Sequence, residues 1–430
     1  MRAALDLAPI GSPRVCGETP PSMSRGRDVV VVGAGPGGSA TAHYLAKLGL
    51  DVLFVDRSGF PRDKTCGDGL TPRAMGVLHD MDLLPDLLRA GKRITGVEIV
   101  SPDGSSTGAT IPPLPGVPGP MLVVPRVILD DAIRERARRS GARFEGGVLV
   151  TGVERTAHGV IVLGEQGTRR VRFSARCAVI ATGASAPLLM RLGILRRPPP
   201  MMLAARAYFE GVTGLADRVH IRFDGVPLPG YGWVFPVSPT TVNLGAGFFP
   251  SSRRFSRLPP NPRAAFDRFV RSRLMASLLG GARQAGPTRG YPLRVDFPRS
   301  PVFGDGVLLV GEAAGLVNPL TGEGIDYALE SAQIAAEQIG RMLGAGGVSP
   351  GGLEEYERIL RARFERLFVF CGRLRDAALH PLLLNRLVRL AARRDDLKTL
   401  LIDIVLGNRR TSETLTVKAV LRKAFALARS

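Results

Sequence analysis

Apolar residues first recur along the chain in a strand, turn, helix, strand pattern. Val29 to Val32 form an unbroken run of valines, which is typical of a strand buried on both faces. A glycine-rich turn follows, and the next apolar positions predict a helix from about Gly38 to Leu48 and a second strand that ends at Asp56. The same pattern returns at residues 305–339, where a buried strand, a glycine-rich loop and a long helix follow one another. The sequence therefore predicts α/β segments at two distant places in the chain.

A second region, from about residue 200 to residue 292, has the alternating pattern of strands and is interrupted by one predicted helix near residues 263–279. Residues 97–111 also predict two strands, joined by a turn at Asp103 and Gly104. Residues 126–141 have amphipathic helical spacing, and Gly141 marks the end of that helix. Residues 60–74 are loop-like, because they are rich in small and charged side chains. The pattern thus predicts a strand-rich region distinct from the α/β segments.

The strand-rich region contains an uncharged run from Gly225 to Ser252, which includes the only tryptophan of the chain. Within this run Tyr231, Trp233 and Phe235 occupy alternate positions, so in a strand their side chains point to the same face. Three aromatic rings then form one wall. By itself this pattern favours ordinary packing in the core of a sheet.

The last 80 residues predict helices that are rich in arginine. Residues 361–430 contain 16 basic and six acidic side chains, which accounts for half of the net charge of +20. Residues 381–394 are amphipathic as a helix, with Leu383, Leu387, Leu390 and Ala391 on one face and Arg386, Arg389 and Arg393 on the other. Two interpretations remain open: a helix that caps the domain, or a helix that lies on an anionic membrane surface.

The composition is that of a large globular protein, with 45% of the 430 residues hydrophobic and 22% charged. Arginine accounts for 52 of the 58 basic residues, a bias that can reflect coding composition, so no nucleic-acid partner is predicted. The four cysteines and five histidines are scattered, which predicts a reduced, intracellular protein without a metal site. No apolar stretch is long enough to span a bilayer. Residues 1–27 predict a disordered tail, with Met23 as an alternative start.

Gly33, Gly35 and Gly38 form a GxGxxG motif directly after a strand and at the start of a helix, and Asp56 ends the next strand. The glycines permit a tight turn, close approach of a pyrophosphate and close helix packing, in that order, while the acidic residue accepts a hydrogen bond from a ribose hydroxyl. The helix N-terminus favours the phosphate charge. A single motif with a second glycine-rich loop near residue 311 favours FAD over NAD, because the flavin end must be held far from the adenine end.

Three further motifs follow in order: PRDKTCGDGLTPRA at residues 61–74, PGYGWVFP at residues 229–236 and GEAAGLVNPLTGEGIDYALE at residues 311–330. With these motifs the chain resembles the geranylgeranyl reductase family of FAD-dependent oxidoreductases, which have the p-hydroxybenzoate hydroxylase fold and saturate double bonds of isoprenoid chains. Within the family it is most similar to the actinobacterial menaquinone reductases, which saturate one isoprene unit of the quinone tail. The resemblance covers about residues 28–345.

The resemblance implies an α/β fold with a Rossmann-like FAD-binding domain, an antiparallel-sheet substrate domain and a C-terminal basic helical region. We expect the FAD-binding domain to comprise residues 28–95, 121–195 and 293–345. The substrate domain is expected to comprise residues 96–120 and 196–292, and the helical region residues 346–430.

The resemblance also assigns candidate site residues. Those implied to bind FAD are Gly33, Gly35, Gly38, Asp56, Arg126, Gly311, Glu312, Gly322, Gly324 and Ile325. Many proteins of this fold have aspartate at the position of Glu312, so the extra methylene is expected to affect the hydrogen bond to the ribityl chain. Tyr231, Trp233 and Phe235 are implied to line a cavity for a hydrocarbon tail. Cys66, Tyr231 and Trp233 are the implied catalytic residues.

Reduction of an isolated alkene needs a hydride on one carbon, from flavin N5, and a proton on the other. The Cys66 thiol is a candidate for the proton donor, and Lys64 is expected to favour its thiolate. The alternative is that Cys66 only fills space in the loop or shapes the cavity. FAD is expected to receive electrons from NAD(P)H or another donor.

Several other functions remain open at this point. A geranylgeranyl diphosphate or geranylgeranyl-lipid reductase would differ in the head group of its substrate. A flavin-dependent monooxygenase or halogenase would consume oxygen, but the halogenases have a WxWxI motif whose first tryptophan is replaced here by Tyr231. A non-enzymatic prenyl-binding carrier, as in the GDP dissociation inhibitors, is disfavoured by the intact GxGxxG motif. We therefore predict a cytoplasmic flavoprotein, peripheral on the inner face of the cell membrane, that reduces a prenylated lipid or quinone.

Overall fold

The structure, a computed structural model, describes residues 26–113, 115–117, 119–214, 216–250 and 261–405. The strands in these ranges are β1 (Arg27–Val32), β2 (Val52–Asp56), β3 (Gly69–Leu70), β4 (Lys92–Ile94), β5 (Gly96–Val100), β6 (Ser106–Thr110), β7 (Met121–Val123), β8 (Arg143–Gly146), β9 (Val148–Thr156), β10 (Gly159–Gln166), β11 (Arg169–Ile180), β12 (Met201–Glu210), β13 (Arg218–Arg222), β14 (Gly230–Pro236), β15 (Thr241–Phe248), β16 (Arg283–Arg294), β17 (Phe303–Gly304) and β18 (Val307–Leu309).

The helices in the same ranges are α1 (Pro36–Lys47), α2 (Pro72–Asp80), α3 (Leu84–Ala90), α4 (Arg126–Arg139), α5 (Pro187–Arg191), α6 (Pro262–Val270), α7 (Arg273–Leu278), α8 (Ile325–Gly344), α9 (Pro350–Ala378), α10 (Pro381–Arg393) and α11 (Asp395–Val405). Two short 3-10 helices occupy Phe297–Arg299 and Gly311–Ala314.

The first large sheet has the order β17-β18-β11-β1-β2-β8, and β10 pairs with β11 and β9. Strand β1 is parallel to β2 and to β11, and β11 is parallel to β18, so the segment near residue 308 returns to the same sheet as the first strand. Helix α1 packs against α4 and α8. It begins at Pro36, two residues before the predicted start, because proline is well suited to the first turn of a helix. The α/β prediction is confirmed.

The second large sheet has the order β16-β12-β15-β14-β13-β5-β6 and is antiparallel except where β13 runs beside β5. The predicted hairpin of residues 97–111 is confirmed as β5 and β6. Phe266 and Phe269 of α6 pack in one cluster with Val234 and Leu244 of the sheet. The single helix predicted at residues 263–279 is wrong, since it is divided into α6 and α7 where Ser272 has extended backbone angles.

The prediction of a loop over residues 60–74 is wrong at its end, where β3 and the start of α2 lie. Thr71 is the N-cap of α2, because its hydroxyl accepts a hydrogen bond of 3.3 Å from the Ala74 N–H, and Pro72 follows at the first helical position. These local signals stop the loop at Thr71. The segment that contains Cys66 therefore comprises residues 57–68 and lies between β2 and β3.

Up to residue 405, the C-terminal region consists of three helices, of which α9 is 29 residues long. Helix α10 buries the predicted Ala391 and half-buries the predicted Leu383, Leu387 and Leu390. The predicted apolar face missed Leu384 and Val388, which are also buried. In the described part of the chain no helix combines the length and hydropathy needed to cross a bilayer. The end of the predicted helical region, residues 406–430, and most of the predicted tail, residues 1–25, lie outside the described residues.

Candidate active site

A cavity of about 760 Å³ is bordered by both large sheets and by the C-terminal helices. With one exception, Gly38, every site residue implied by the sequence lines it: Gly33, Gly35, Asp56, Cys66, Arg126, Tyr231, Trp233, Phe235, Gly311, Glu312, Gly322, Gly324 and Ile325. Residues that are up to about 290 positions apart in the sequence therefore border one space. The fold brings the glycine-rich turn, the aromatic strand and the loop at residues 311–325 together.

The three glycines of the first turn differ in what they contact. Gly33 has a φ of +105°, and a Cβ on it would lie 2.4 Å from the carbonyl oxygen of Ala181. A Cβ on Gly38 would lie 1.8 Å from the carbonyl oxygen of Gly33, so this glycine serves the close packing of α1 rather than the cavity surface. The side of Gly35 is open, with Arg62 Nη2 as its nearest neighbour at 3.7 Å. The open backbone at Gly35 and the start of α1 fit a pyrophosphate.

Asp56 closes this end of the cavity. Its Oδ2 accepts a hydrogen bond of 2.8 Å from the Ala34 N–H, and its Oδ1 accepts one of 2.9 Å from the Ser58 N–H. Each carboxylate oxygen has a second lone pair, so Asp56 can also accept from a ribose hydroxyl. The residues present therefore fit the ADP half of FAD.

Two arginines share one buried carboxylate in the middle of the cavity wall. Arg126 donates to Asp130 with Nε at 2.6 Å and Nη2 at 2.8 Å, and Arg62 Nη1 lies 3.1 Å from Asp130 Oδ2. Burial acts to lower the pKa of Arg126, but Asp130 and Cys66 beside it raise the pKa above its usual value. Sequence reasoning missed Arg62 and Asp130, although the spacing of Arg126 and Asp130 by four residues in α4 is a signal for their ion pair.

Glu312 is held by the protein on both oxygens. Oε1 accepts a hydrogen bond of 3.1 Å from the Arg294 N–H, and Oε2 lies 3.4 Å from Lys64 Nζ. The Lys64 ammonium also lies 4.7 Å from the centre of the Tyr291 ring. Burial lowers the pKa of Lys64, but Glu312 and Tyr291 outweigh this and raise it.

The expected pairing of Lys64 with Cys66 is wrong. The loop turns the ammonium toward Glu312, and the Arg126 guanidinium interacts electrostatically with the Cys66 side chain. The backbone carbonyl of Cys66 accepts a hydrogen bond of 2.8 Å from Asn243. Cys66 is therefore fixed between α4 and β15.

Tyr231, Trp233 and Phe235 lie on β14 and face the cavity as one wall. The ring centres of Tyr231 and Trp233 are 6.1 Å apart. Trp233 Nε1 donates to Asn243 Oδ1 at 3.0 Å, and a Cβ on Gly67 would lie 3.2 to 3.3 Å from the rings of Phe235 and Trp233. The three rings thus border an open volume, which corrects the interpretation of this pattern as ordinary core packing.

The loop at residues 318–325 forms the opposite edge of the cavity. Gly322 has a φ of +70°, and the Tyr231 hydroxyl donates to the Thr321 carbonyl. Burial and the neighbouring Asp326 raise the pKa of Glu323 well above its usual value, although Arg73 opposes this. Sequence reasoning missed Glu323, whose only signal is its position between Gly322 and Gly324. The loop therefore presents backbone and one carboxyl of raised pKa to the cavity, and the Tyr231 hydroxyl of β14 lies against it.

The fold and this cavity define a FAD-dependent oxidoreductase. Residues 27–207 match the FAD binding domain family. The chain is 37% identical over 332 residues to a menaquinone reductase of Mycobacterium tuberculosis, covering 74% of this chain and 77% of that protein. It is 34% identical over 403 residues to a menaquinone reductase of Mycolicibacterium smegmatis, covering 91% and 94%. The chain therefore belongs to the geranylgeranyl reductase family that includes the menaquinone reductases, and its cofactor is FAD.

A solved structure shows the same fold over nearly the whole chain. It is that of a geranylgeranyl bacteriochlorophyll reductase-like protein from Thermoplasma acidophilum, with a TM-score of 0.78 and 24% identity, covering 93% of this chain and 96% of that one.

Proposed function

We propose that this enzyme saturates carbon–carbon double bonds in the isoprenoid tail of menaquinone. The observation that carries the proposal is the single cavity that joins the loop at residues 322–325 to the wall of Tyr231, Trp233 and Phe235. Two relatives of 34% and 37% identity that are named menaquinone reductases support the choice of the quinone.

The cavity wall favours hydrocarbon. Besides the three aromatic rings it contains Met202 and Ile221. Burying the five carbons of an isoprene unit is worth about 4 kcal/mol, at about 0.8 kcal/mol per carbon. One methylene more or less changes binding by only about 1 to 3 kcal/mol, so contacts of this kind discriminate weakly between tails that differ by a single carbon.

The roles of the chain's residues follow from their places. Gly35 and the start of α1 would hold the pyrophosphate of FAD, and Asp56 would hold its ribose. The flavin ring would lie against Gly322, Gly324 and Ile325. FAD, when bound, supplies the hydride. The aromatic wall holds the tail and excludes water. Two candidate proton donors lie near Tyr231, the Cys66 side chain and the Glu323 carboxyl, because both interact electrostatically with the tyrosine. Either group can protonate the second carbon of the alkene.

Electron supply and location are also proposals. NAD(P)H or another donor would reduce FAD. We propose contact with a membrane surface through α10, because Leu382 on that helix is 74% exposed and lies one turn before Arg386 and two turns before Arg389.

The test is to incubate the purified, FAD-loaded protein anaerobically with dithionite and menaquinone and to analyse the lipid by mass spectrometry. We expect products heavier by two hydrogens for each bond reduced. Trp233→Ala should lower the initial rate at least about tenfold, because it removes the centre of the wall. The matched control is Leu48→Ala, at a side chain that is 55% exposed and outside the cavity.

No mass gain with menaquinone or with geranylgeranyl lipids, in a sample shown to hold FAD, overturns the proposal. A mass gain with geranylgeranyl lipids alone would mean that the enzyme is a prenyl reductase whose substrate has a head group other than menaquinone's. Oxygen consumption coupled to incorporation of oxygen or halogen into an added substrate favours the monooxygenase or halogenase alternative.

A further inference from the structure

The C-terminal helices form part of the cavity surface. Seven side chains of α10 and α11 line it, and we call them the roof residues: Leu384, Leu387, Val388, Leu397, Leu400, Leu401 and Ile404. They are far in sequence from every predicted site residue. The amphipathic pattern of this region predicts a cap or a membrane contact, whereas the structure adds these residues to the same cavity as the aromatic strand.

The roof residues lie against both the aromatic wall and the loop at residues 318–325. Val388 is in one apolar cluster with Ile99 of β5, and Phe235 of the aromatic wall and Leu401 pack against this cluster. Leu384 is in a second cluster, against which Leu320 of the 318–325 loop packs. The space below the roof is therefore continuous with the place where the aromatic wall faces that loop.

The chemistry of the roof defines what it can bind. All seven roof residues are leucine, isoleucine or valine, whose side chains have no hydrogen-bonding atoms. A quinone or phosphate placed there would lose hydrogen bonds to water without replacement, which is costly. A hydrocarbon chain has no such cost.

Polar contacts fix the roof to the second large sheet. The Asp103 N–H donates to Asn385 Oδ1 at 3.2 Å, and Arg389 Nε donates to Ser105 Oγ at 3.2 Å. Arg389 also forms an ion pair with Asp103. Asp103 and Ser105 belong to the turn between β5 and β6, so this hairpin positions α10 over the cavity.

We infer that the roof residues form a subsite for the part of an isoprenoid tail that extends beyond the double bond being reduced, with the polar head group on the other side of the aromatic wall. This inference rests on the proposed function, and it assigns tail-length discrimination to α10 and α11. A tail too short to extend under the roof makes no contact with it.

The test compares menaquinone with a two-unit tail and menaquinone with an eight-unit tail. Leu387→Trp and Leu401→Trp fill the subsite from two different helices. For each variant we expect the ratio of kcat/KM for the long tail to that for the short tail to fall at least about tenfold, the effect of losing a few buried methylenes. The control is Leu48→Trp, at a side chain that is 55% exposed and outside the cavity, where the ratio is unchanged.

A second measurement does not depend on turnover. Native mass spectrometry of the oxidised proteins, each mixed with both quinones, is expected to show selective loss of the long-tailed quinone from the two tryptophan variants. If a tryptophan variant does not fold, Leu387→Ala is used instead, since it is a milder change at this half-buried position. It is expected to weaken binding of the long-tailed quinone alone.

The outcomes separate the two proposals. Wild-type ratios in Leu387→Trp and Leu401→Trp, or equal losses for both quinones at normal FAD content, overturn the roof subsite and leave the reductase in place. Failure of the wild-type protein to reduce either quinone defeats the proposed function itself. The subsite survives this result only if the long-tailed quinone is still bound and is lost selectively from the variants.

Discussion

At the scale of single residues, a few polar contacts hold the loop that carries Cys66. Asp68 is fully buried with a φ of 66°, and its Oδ2 accepts hydrogen bonds from Tyr208 at 2.5 Å and from Asn243 at 2.7 Å. Asn243 also accepts from Trp233 and donates to the Cys66 carbonyl. One buried carboxyl therefore links the loop to the aromatic wall.

Replacing Asp68 with asparagine should remove a pH dependence of stability. Burial raises the pKa of Asp68 from its ordinary value of 3.8 to about 6, even though its hydrogen bonds act to lower it. The folded protein then binds the proton more tightly than the unfolded chain, so the free energy of unfolding falls as the pH rises from about 4 to about 6 and is constant above. At 1.36 kcal/mol for each pKa unit, the titration of Asp68 changes the free energy of unfolding by about 3 kcal/mol.

The measurement is the free energy of unfolding in urea of Asp68→Asn and of the wild type across this pH range. Asparagine tolerates the left-handed backbone conformation and can accept the same two hydrogen bonds. The difference between the two proteins should change by about 3 kcal/mol between pH 4 and pH 7. Parallel pH curves would show that Asp68 titrates normally.

At the scale of elements, the pairing of β14 with β15 shapes the aromatic wall. Trp233 lies opposite Gly245, and a Cβ on Gly245 would lie 2.0 Å from Cζ2 of the tryptophan ring. The ring therefore lies flat over the neighbouring strand because that position has no side chain. The glycine in β15 fixes the direction of a side chain in β14.

Gly245→Ala should displace this ring and damage the tail site. The added methyl group forces the indole out of its place, so we expect KM for menaquinone to rise at least about tenfold, with a loss of stability of about 1 to 3 kcal/mol. Trp233 is the only tryptophan, so the emission spectrum of the protein reports its environment directly. Gly152→Ala in β9 is the control, because its Cβ would lie 3.7 Å from Leu163, an ordinary contact. An unchanged emission spectrum and KM in Gly245→Ala would refute this account of the wall.

At the scale of the whole molecule, one arginine connects the second large sheet to the segment that follows β18. Arg294 ends β16 and is 1% exposed. Its side chain donates to Asp296 at 2.8 Å and also to the Ser300 hydroxyl and the Ala313 carbonyl, while its backbone N–H donates to Glu312. The second large sheet and the segment of residues 311–314 are thereby held in one arrangement.

Arg294→Met should destabilise this connection strongly. Methionine fills much of the same volume but leaves Asp296 and the Ala313 carbonyl without their partner, which costs about 3 to 5 kcal/mol. We also expect loss of bound FAD, measured by flavin absorbance after gel filtration. Arg299→Met, at an exposed position nearby, should stay within about 0.5 kcal/mol of the wild type. Similar unfolding curves for the two variants would argue against this role of Arg294.

Local patterns in the sequence determined the elements and much of the candidate site. The valine run, the GxGxxG motif and the period-two spacing of Tyr231, Trp233 and Phe235 each act within a few residues, where backbone geometry fixes which side chains share a face. Their places on strands and at the cavity could therefore be predicted. The division of α6 from α7 and the N-cap at Thr71 were missed, although both depend on local backbone choices.

Only the tertiary structure decided which charges and surfaces meet. Lys64 and Glu312 are 248 residues apart, and no local rule turns the ammonium toward that carboxylate rather than toward Cys66. The raised pKa of Glu323 depends on burial beneath other elements. Likewise, the roof residues face a cavity because the β5–β6 hairpin holds α10 in place. Such features depend on long-range packing, which a periodicity along the chain does not encode.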